Sequence, residues 1–286
     1  MLVYVVLLFQ SLIASGTHIV AKLVVRDIDP VSLTLLRSIL AAIGLLVIVG
    51  IRKTRLVFDK EHRKAMILLS FLAIPVNQFL FLTGISYSTP SNASLLYGTT
   101  PAVVLLISHF TGKEKISWRK WLGVAVAFAG VALVVFEEGI DFRTQYTLGN
   151  CLLLIAVFAW ALYTVHGQPM ILRYGAFPTS AATMLLGTLM FVPVGAVNLL
   201  RLDFSLLTAG HWMGLLYLSL GTSIFAYFLW YYALARIPAT KVAIFANLQP
   251  VLTTVLSMLI LGQAVTPVFV AGGITALTGV ILAQFG

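Results

Sequence analysis

Residues 113–136 read KEKISWRKWLGVAVAFAGVALVVF, and residues 262–285 read GQAVTPVFVAGGITALTGVILAQF. A displacement of 149 residues lays Gly123 on Gly272, Gly130 on Gly279 and Ile116-Ser117 on Val265-Thr266. Each copy is a short joint followed by an apolar run close to the ~20 residues that cross a bilayer as a helix. The copies differ in charge: Lys113-Glu114-Lys115 stands where the second has Gly262-Gln263-Ala264. Lys and Arg gather in the cytoplasmic joints of membrane proteins. Two like segments with opposite charge bias are therefore expected to face opposite ways across one membrane.

The same displacement carries Pro101 onto Pro250, Leu80 onto Leu229, Phe79 onto Phe228 and Glu114 onto Gln263. The first helix needs a shift near 144, which places Ser15 on Ala159 and Lys22 on His166. The chain thus divides into residues 1–140 and 141–286, each expected to hold five helices. Because five is odd, the second unit enters the membrane inverted, the arrangement of many secondary transporters.

Composition agrees with a bilayer as solvent. Of the 286 residues, 60% are hydrophobic and 9% charged, against roughly a quarter charged in soluble domains. Apolar stretches predict ten spans, near 2–22, 30–51, 65–87, 90–111, 118–136, 147–168, 178–200, 211–235, 239–261 and 266–285. Pro30, Pro90, Pro178 and Pro267 stand near helix starts, where a missing N–H costs nothing. The expected fold is an all-α integral membrane protein of ten helices in two inverted repeats.

With an even helix count both termini share a side. That side collects Arg52, Lys53, Arg55, Lys60, Arg63 and Lys64, then Lys113, Lys115, Arg119 and Lys120, then Arg173, Arg236 and Lys241. The other side has Lys22, Arg26, Arg143 and Arg201. Both termini are expected in the cytoplasm, in the inner membrane of a prokaryote. The net charge of +9 comes from these joints rather than from one continuous basic face, so no nucleic-acid partner is expected. The lone Cys151 excludes a disulfide within the chain. The first apolar stretch, residues 2–21, is not preceded by a signal peptide's basic region, so it is read as a retained helix. Lipid and a small-molecule substrate are the expected partners, and a monomer the expected state.

The order of these features resembles the drug/metabolite transporter superfamily, and within it the ten-helix EamA-like permeases. The resemblance rests on Arg37 in LLRSILAA, Gly84-Ile85-Ser86-Tyr87-Ser88 leading to Pro101, the Gly112-Lys113-Glu114 joint, and Ala233-Leu234-Ala235 leading to Pro250. It implies a central cavity lined by helices one, three, four, six, eight and nine, with five and ten peripheral, and transport by alternating access, with export of amino acids or other metabolites in many members. One departure is Leu261-Gly262-Gln263, where relatives often carry glutamate.

On the spans so implied, polar and aromatic residues recur at helical spacing. Helix one offers His18, with Ala14 and Ala21 on its face; helix three Asn77 and Gln78; helix four Ser94 and Tyr97. Helix six brings Trp160, Tyr163 and His166, helix eight Tyr227, Trp230 and Tyr231, and helix nine Asn247 and Gln249. These are the candidate substrate contacts; interface anchoring of the aromatics and helix–helix hydrogen bonding of the histidines are the alternatives. Arg37, about seven residues or roughly 10 Å into its helix, is either a snorkelling, structurally paired cation or a gate and anion contact, with Lys22 and Lys241 as further charges of that kind. Pro101 and Pro250 free backbone carbonyls at matching depths and are candidate hinges.

Absences narrow the function. No Asp or Glu lies well inside a span, and a buried acid is what small multidrug antiporters use to exchange protons for cationic drugs. The histidines His18, His62, His109, His166 and His211 include no i, i+4 pair, and neither H-E-x-x-H nor G-x-S-x-G occurs. No enzyme, metal site or cofactor is expected, and without G-x-x-x-x-G-K no ATP drive. The leading reading is a secondary transporter, an exporter or exchanger of neutral or aromatic amino acids. Alternatives are a carrier for an organic anion through Arg37, Lys22 or Lys241, and a non-transport membrane scaffold.

Overall fold

The computed structural model describes residues 2–137 and 145–285. Glu138, Asp141 and Arg143, placed by the sequence in the joint between the halves, lie outside the described residues. Among the described residues ten helices are long and apolar enough to cross a membrane: α1 (Leu2–Val24), α2 (Pro30–Arg52), α3 (Lys60–Tyr87), α4 (Pro90–Phe110), α5 (Trp118–Val135), α6 (Gln145–Tyr174), α7 (Ala176–Arg201), α8 (Ala209–Leu234), α9 (Ala239–Leu261) and α10 (Pro267–Gln284).

Local chemistry sets the starts. Asp29 caps α2 by accepting from Val31 N and Ser32 N at 3.1 and 3.0 Å, with Pro30 next. Thr89 caps α4 through Asn92 N, ahead of Pro90, and Ser117 caps α5 through Lys120 N. Each such cap contributes about 1 kcal/mol.

Lipid tails are as apolar as leucine, so close packing and interhelical hydrogen bonds hold such a bundle. Helix α5 lies along α10 and α2 along α7, flanking a central group of α1, α3, α4, α6, α8 and α9. Glycine permits the first of these contacts. A Cβ on Gly130 would stand 2.6 Å from the Gly272 carbonyl oxygen, and one on Gly279 would stand 2.7 Å from that of Gly123. The displacement of 149 that relates the two sequence segments exchanges these two contacts, Gly130 with Gly279 and Gly272 with Gly123. Residues near the start of α5 meet those near the end of α10, so the two helices run antiparallel.

The spans depart from the sequence expectation at prolines. Helix α6 runs through Pro169 to Tyr174 instead of stopping near 168, because Lys113 Nζ donates at 2.8 Å to Val165 O, the carbonyl that the proline cannot serve. Helices α3 and α8 each contain a π-helical stretch, Leu72–Gln78 and Tyr217–Ala226. These two stretches overlap under the same displacement of 149. Pro75 lies in the first; in the second, Ser223 Oγ and Thr222 Oγ1 donate five residues back, to Leu218 O and Tyr217 O. Helix α4 breaks at Thr99 and α9 passes through a 3-10 turn at Ile244–Asn247. Before Pro101, Thr100 Oγ1 takes the freed Tyr97 carbonyl at 2.6 Å.

Candidate functional site

The irregular stretches converge. The π segments of α3 and α8 and the breaks of α4 and α9 border a cavity of about 70 Å³, room for several waters or a compact solute. Gln10, Ala14, Thr17 and His18 line it from α1, Arg37 from α2, Asn77, Gln78 and Phe81 from α3, and Tyr97 from α4. Trp160 comes from α6, Thr222, Ala226 and Tyr227 from α8, and Gln249 from α9. A Cβ on Gly98, at the α4 break, would meet Pro250 Cγ at 2.7 Å, so the two interrupted helices abut beside it. The six helices that the resemblance implies all contribute, and α2 adds a cation.

Two aromatic groups, bridged by Asn77 through Tyr97 and Tyr227, form parts of the wall. Trp160 and Tyr227 meet edge to face with centroids 4.9 Å apart, each exposing only a few per cent of its surface. His18, Phe81 and Tyr97 contact one another at 5.3 to 5.7 Å. Tyr163, Trp230 and Tyr231 stand behind the first group and are fully buried: Tyr231 stacks on Tyr163 at 5.1 Å, Tyr163 OH bonds to Thr183 Oγ1, and Trp230 Nε1 donates to Thr164 Oγ1 at 3.1 Å. These three shape the wall without lining it.

The polar lining separates into saturated and unsatisfied groups. Asn77 Nδ2 donates to Tyr97 OH and to Ala156 O, both at 2.8 Å, while its Oδ1 accepts from Tyr227 OH at 3.2 Å. It ties α3 to α4, α6 and α8, and its capacity is largely spent on protein. Thr17 and Thr222 hydroxyls pair at 2.8 Å, and His18 Nε2 meets Gln249 Oε1 at 3.2 Å. Arg37, 2% exposed, donates through Nε to Ser223 Oγ at 3.0 Å. By contrast, Gln10 Oε1, His18 Nδ1, Arg37 Nη1 and Gln78 Oε1 are buried without a hydrogen-bond partner. Polar atoms left so are costly, and all four belong to cavity residues.

The other candidates lie elsewhere. Ser94 is buried and donates to Ser91 O. His166 is half-buried near Lys113, and Asn247 sits in the 3-10 turn of α9. Lys241 is exposed at the start of α9. Lys22 Nζ donates to Ile85 O, Ser86 O and Ser88 O at 3.0, 3.0 and 2.7 Å, tying α1 to the end of α3. The sequence left out Gln10, Thr17, Phe81, Thr222 and Ala226. Gln10 and Thr17 lie on the His18 face of α1 at helical spacing, a signal that was present. Thr222 and Ala226 face inward because the π turns rotate α8, which sequence periodicity does not carry.

Asp59, Glu61 and His62 come within reach of one another at the α2–α3 joint, but Arg173 already bonds Asp59 Oδ2 at 2.8 Å and approaches Glu61 at 3.8 Å.

The chain matches the EamA-like transporter family over residues 1–136 and again over 147–285. A protein of Archaeoglobus fulgidus named "Uncharacterized transporter" is 32% identical, the alignment covering 98% of this chain and 96% of that one. "Uncharacterized transporter YyaM" of Bacillus subtilis is 27% identical over 99% of this chain and 93% of its own. A solved crystal structure shares the fold with a TM-score of 0.70 at 16% identity, covering 97% of this chain and 94% of that one.

Proposed function

The chain belongs to the EamA-like transporter family, of the drug/metabolite transporter superfamily, and from that premise we propose that it exports or exchanges a small neutral or zwitterionic metabolite, a neutral or aromatic amino acid, by alternating access. The observation that carries this reading is the cavity: small, bordered by the interrupted stretches of four helices, walled by aromatics and amides, and without a carboxylate among its lining residues. An acid-free site gives no purchase for a cationic drug. Of the two histidines open to proton coupling, His18 lines the cavity and His166 does not, so any coupled proton would pass through His18, and exchange without a proton is the simpler operation.

The inverted relation of residues 1–140 and 141–286 is part of the proposal. It is supported by the double family match and by the antiparallel α5–α10 contact that the repeat maps onto itself. Under it the two halves rock about the cavity, with Pro101 and Pro250 as hinges. The charge of the joints supports cytoplasmic termini in a prokaryotic inner membrane. Nothing in the cavity pairs a nucleophile with a base and an acid, which supports a carrier rather than an enzyme. The test is counterflow in proteoliposomes across a panel of amino acids and other metabolites. Accumulation of labelled solute against an internal pool is the expected result, and no counterflow across the panel would overturn the reading.

A further inference from the structure

We infer that Arg37 is the anchor for a carboxylate on the transported solute, with the side-chain oxygens of Gln10 and Gln78 accepting from a donor group beside it. The inference rests on the transport reading above and names the chemistry of its substrate.

Arg37 is the odd group in this cavity. It is 2% exposed and lies inside a span, yet no described carboxylate is placed to balance it: Asp27, Asp29, Asp59, Glu114, Glu137 and Asp203 stand in the joints, and Glu61 is in the exposed first turn of α3. Its Nε donates to the neutral Ser223 Oγ, whose own hydroxyl donates to Leu218 O. Ser223 therefore orients the guanidinium and supplies no charge. Nη1 is left without a partner. A cation so placed costs dearly in a membrane interior, and a structural Arg would be expected to spend its remaining donors on backbone carbonyls, as Lys22 does. What a guanidinium with free donors matches best is a planar carboxylate, which accepts two parallel N–H bonds.

The neighbouring glutamines separate a carboxylate from a bare inorganic anion. Gln10 Oε1 and Gln78 Oε1 are buried, unpartnered acceptors in the same lining. Gln78 is held in place from its other end, Nε2 donating to Met184 Sδ at 3.7 Å. Acceptors beside the cation repel a simple anion but suit a solute with an ammonium or hydroxyl next to its carboxylate. Both α-amino and α-hydroxy acids have that shape; their shared chemistry is the carboxylate.

Counterflow with two matched sets tests the anchor and separates those sources. One set is L-alanine, lactate, L-alaninamide and ethylamine; the other is L-phenylalanine, phenyllactate, L-phenylalaninamide and phenethylamine. The expected result is exchange of the carboxylates and none of the amides or amines, with alanine or phenylalanine alone marking a zwitterion site and the hydroxy acids alone an anion site. Arg37→Gln is expected to lower exchange of the accepted carboxylate about 10- to 100-fold at low concentration, with Arg37→Lys recovering part of it. If Arg37→Gln fails to insert, the sets on the wild-type protein decide by themselves. Exchange of the amides or amines as fast as the acids, or unaltered exchange by a folded Arg37→Gln protein, overturns the anchor and leaves transport standing. Absence of counterflow for every solute, these sets and the metabolite panel included, removes the transport reading and the anchor with it.

Discussion

Lys22 and Gln168 serve equivalent positions at opposite ends of the protein. Lys22, at the end of α1, donates to Ile85 O and Ser88 O at the end of α3; Gln168, near the end of α6, donates to Leu234 O and Ile237 O at the end of α8, at 3.1 and 3.0 Å. A displacement of 149 turns the first pair of carbonyls into the second. In each half, therefore, the first helix latches the outgoing end of the third. The two side chains differ by 146 positions, so the contacts pair Lys22 with Gln168 rather than with His166, which the shift of 144 selects.

If the halves rock about the cavity, each latch holds together two helices of one half that must move as a unit. Replacing Lys22 with Met leaves three carbonyls short of a donor, and Gln168→Leu leaves two. Each substitution is expected to destabilise by about 1–3 kcal/mol and to reduce exchange at least tenfold. Thermal melting in detergent, read beside counterflow, checks both, and unchanged exchange in both variants would remove the latch role.

Asn77 is expected to matter for structure before substrate. Leucine at this position strands Tyr97 OH, Tyr227 OH and the Ala156 carbonyl together. A loss of about 1–3 kcal/mol is expected, with the apparent affinity for solute impaired because two lining tyrosines lose their tether. The measurement is melting temperature alongside the counterflow concentration dependence. An Asn77→Leu protein with wild-type melting and weakened solute affinity would instead mark Asn77 as a direct contact.

The joint between α2 and α3 is expected to loosen in acid. Hydrogen bonds from the Tyr174 hydroxyl and the Arg173 guanidinium hold the Asp59 carboxyl below its ordinary pKa. A carboxylate depressed by folding contributes its stability above the unfolded value and loses it as pH falls through the folded one. Hydrogen exchange of residues 53–62 is therefore expected to rise below about pH 4, and Asp59→Asn to abolish that dependence. A joint equally protected at pH 3 and pH 7 would show that the bonds do not hold it.

The parts of the site that the sequence revealed are those set by composition along one helix. His18, Tyr97, Trp160, Tyr227 and Gln249 stand out because polar and aromatic groups are rare in apolar spans, and all five line the cavity. Burial order across the bundle is not written in any one helix. Trp160 and Tyr227 reach the cavity while Tyr163, Trp230 and Tyr231, at neighbouring positions on the same helices, are sealed behind them. Likewise Arg37 was legible as a buried cation, but the distance of every described acid from it depends on where the joints end up.

By itself the sequence determined ten membrane-spanning helices, the motifs that recur 149 residues apart and the reversed charge of the joints beside them. These follow from the solvent, since a backbone in lipid must satisfy its own hydrogen bonds and a run of apolar residues can then only be a helix. The tertiary structure decided that α5 and α10 meet glycine to glycine and that α6 continues through Pro169 because Lys113 takes the freed carbonyl. It also decided that the π turns of α3 and α8 aim Gln78 and Thr222 at Arg37's cavity. Those outcomes depend on which polar atom on one helix finds a partner on another, and such partners come together only when the helices pack.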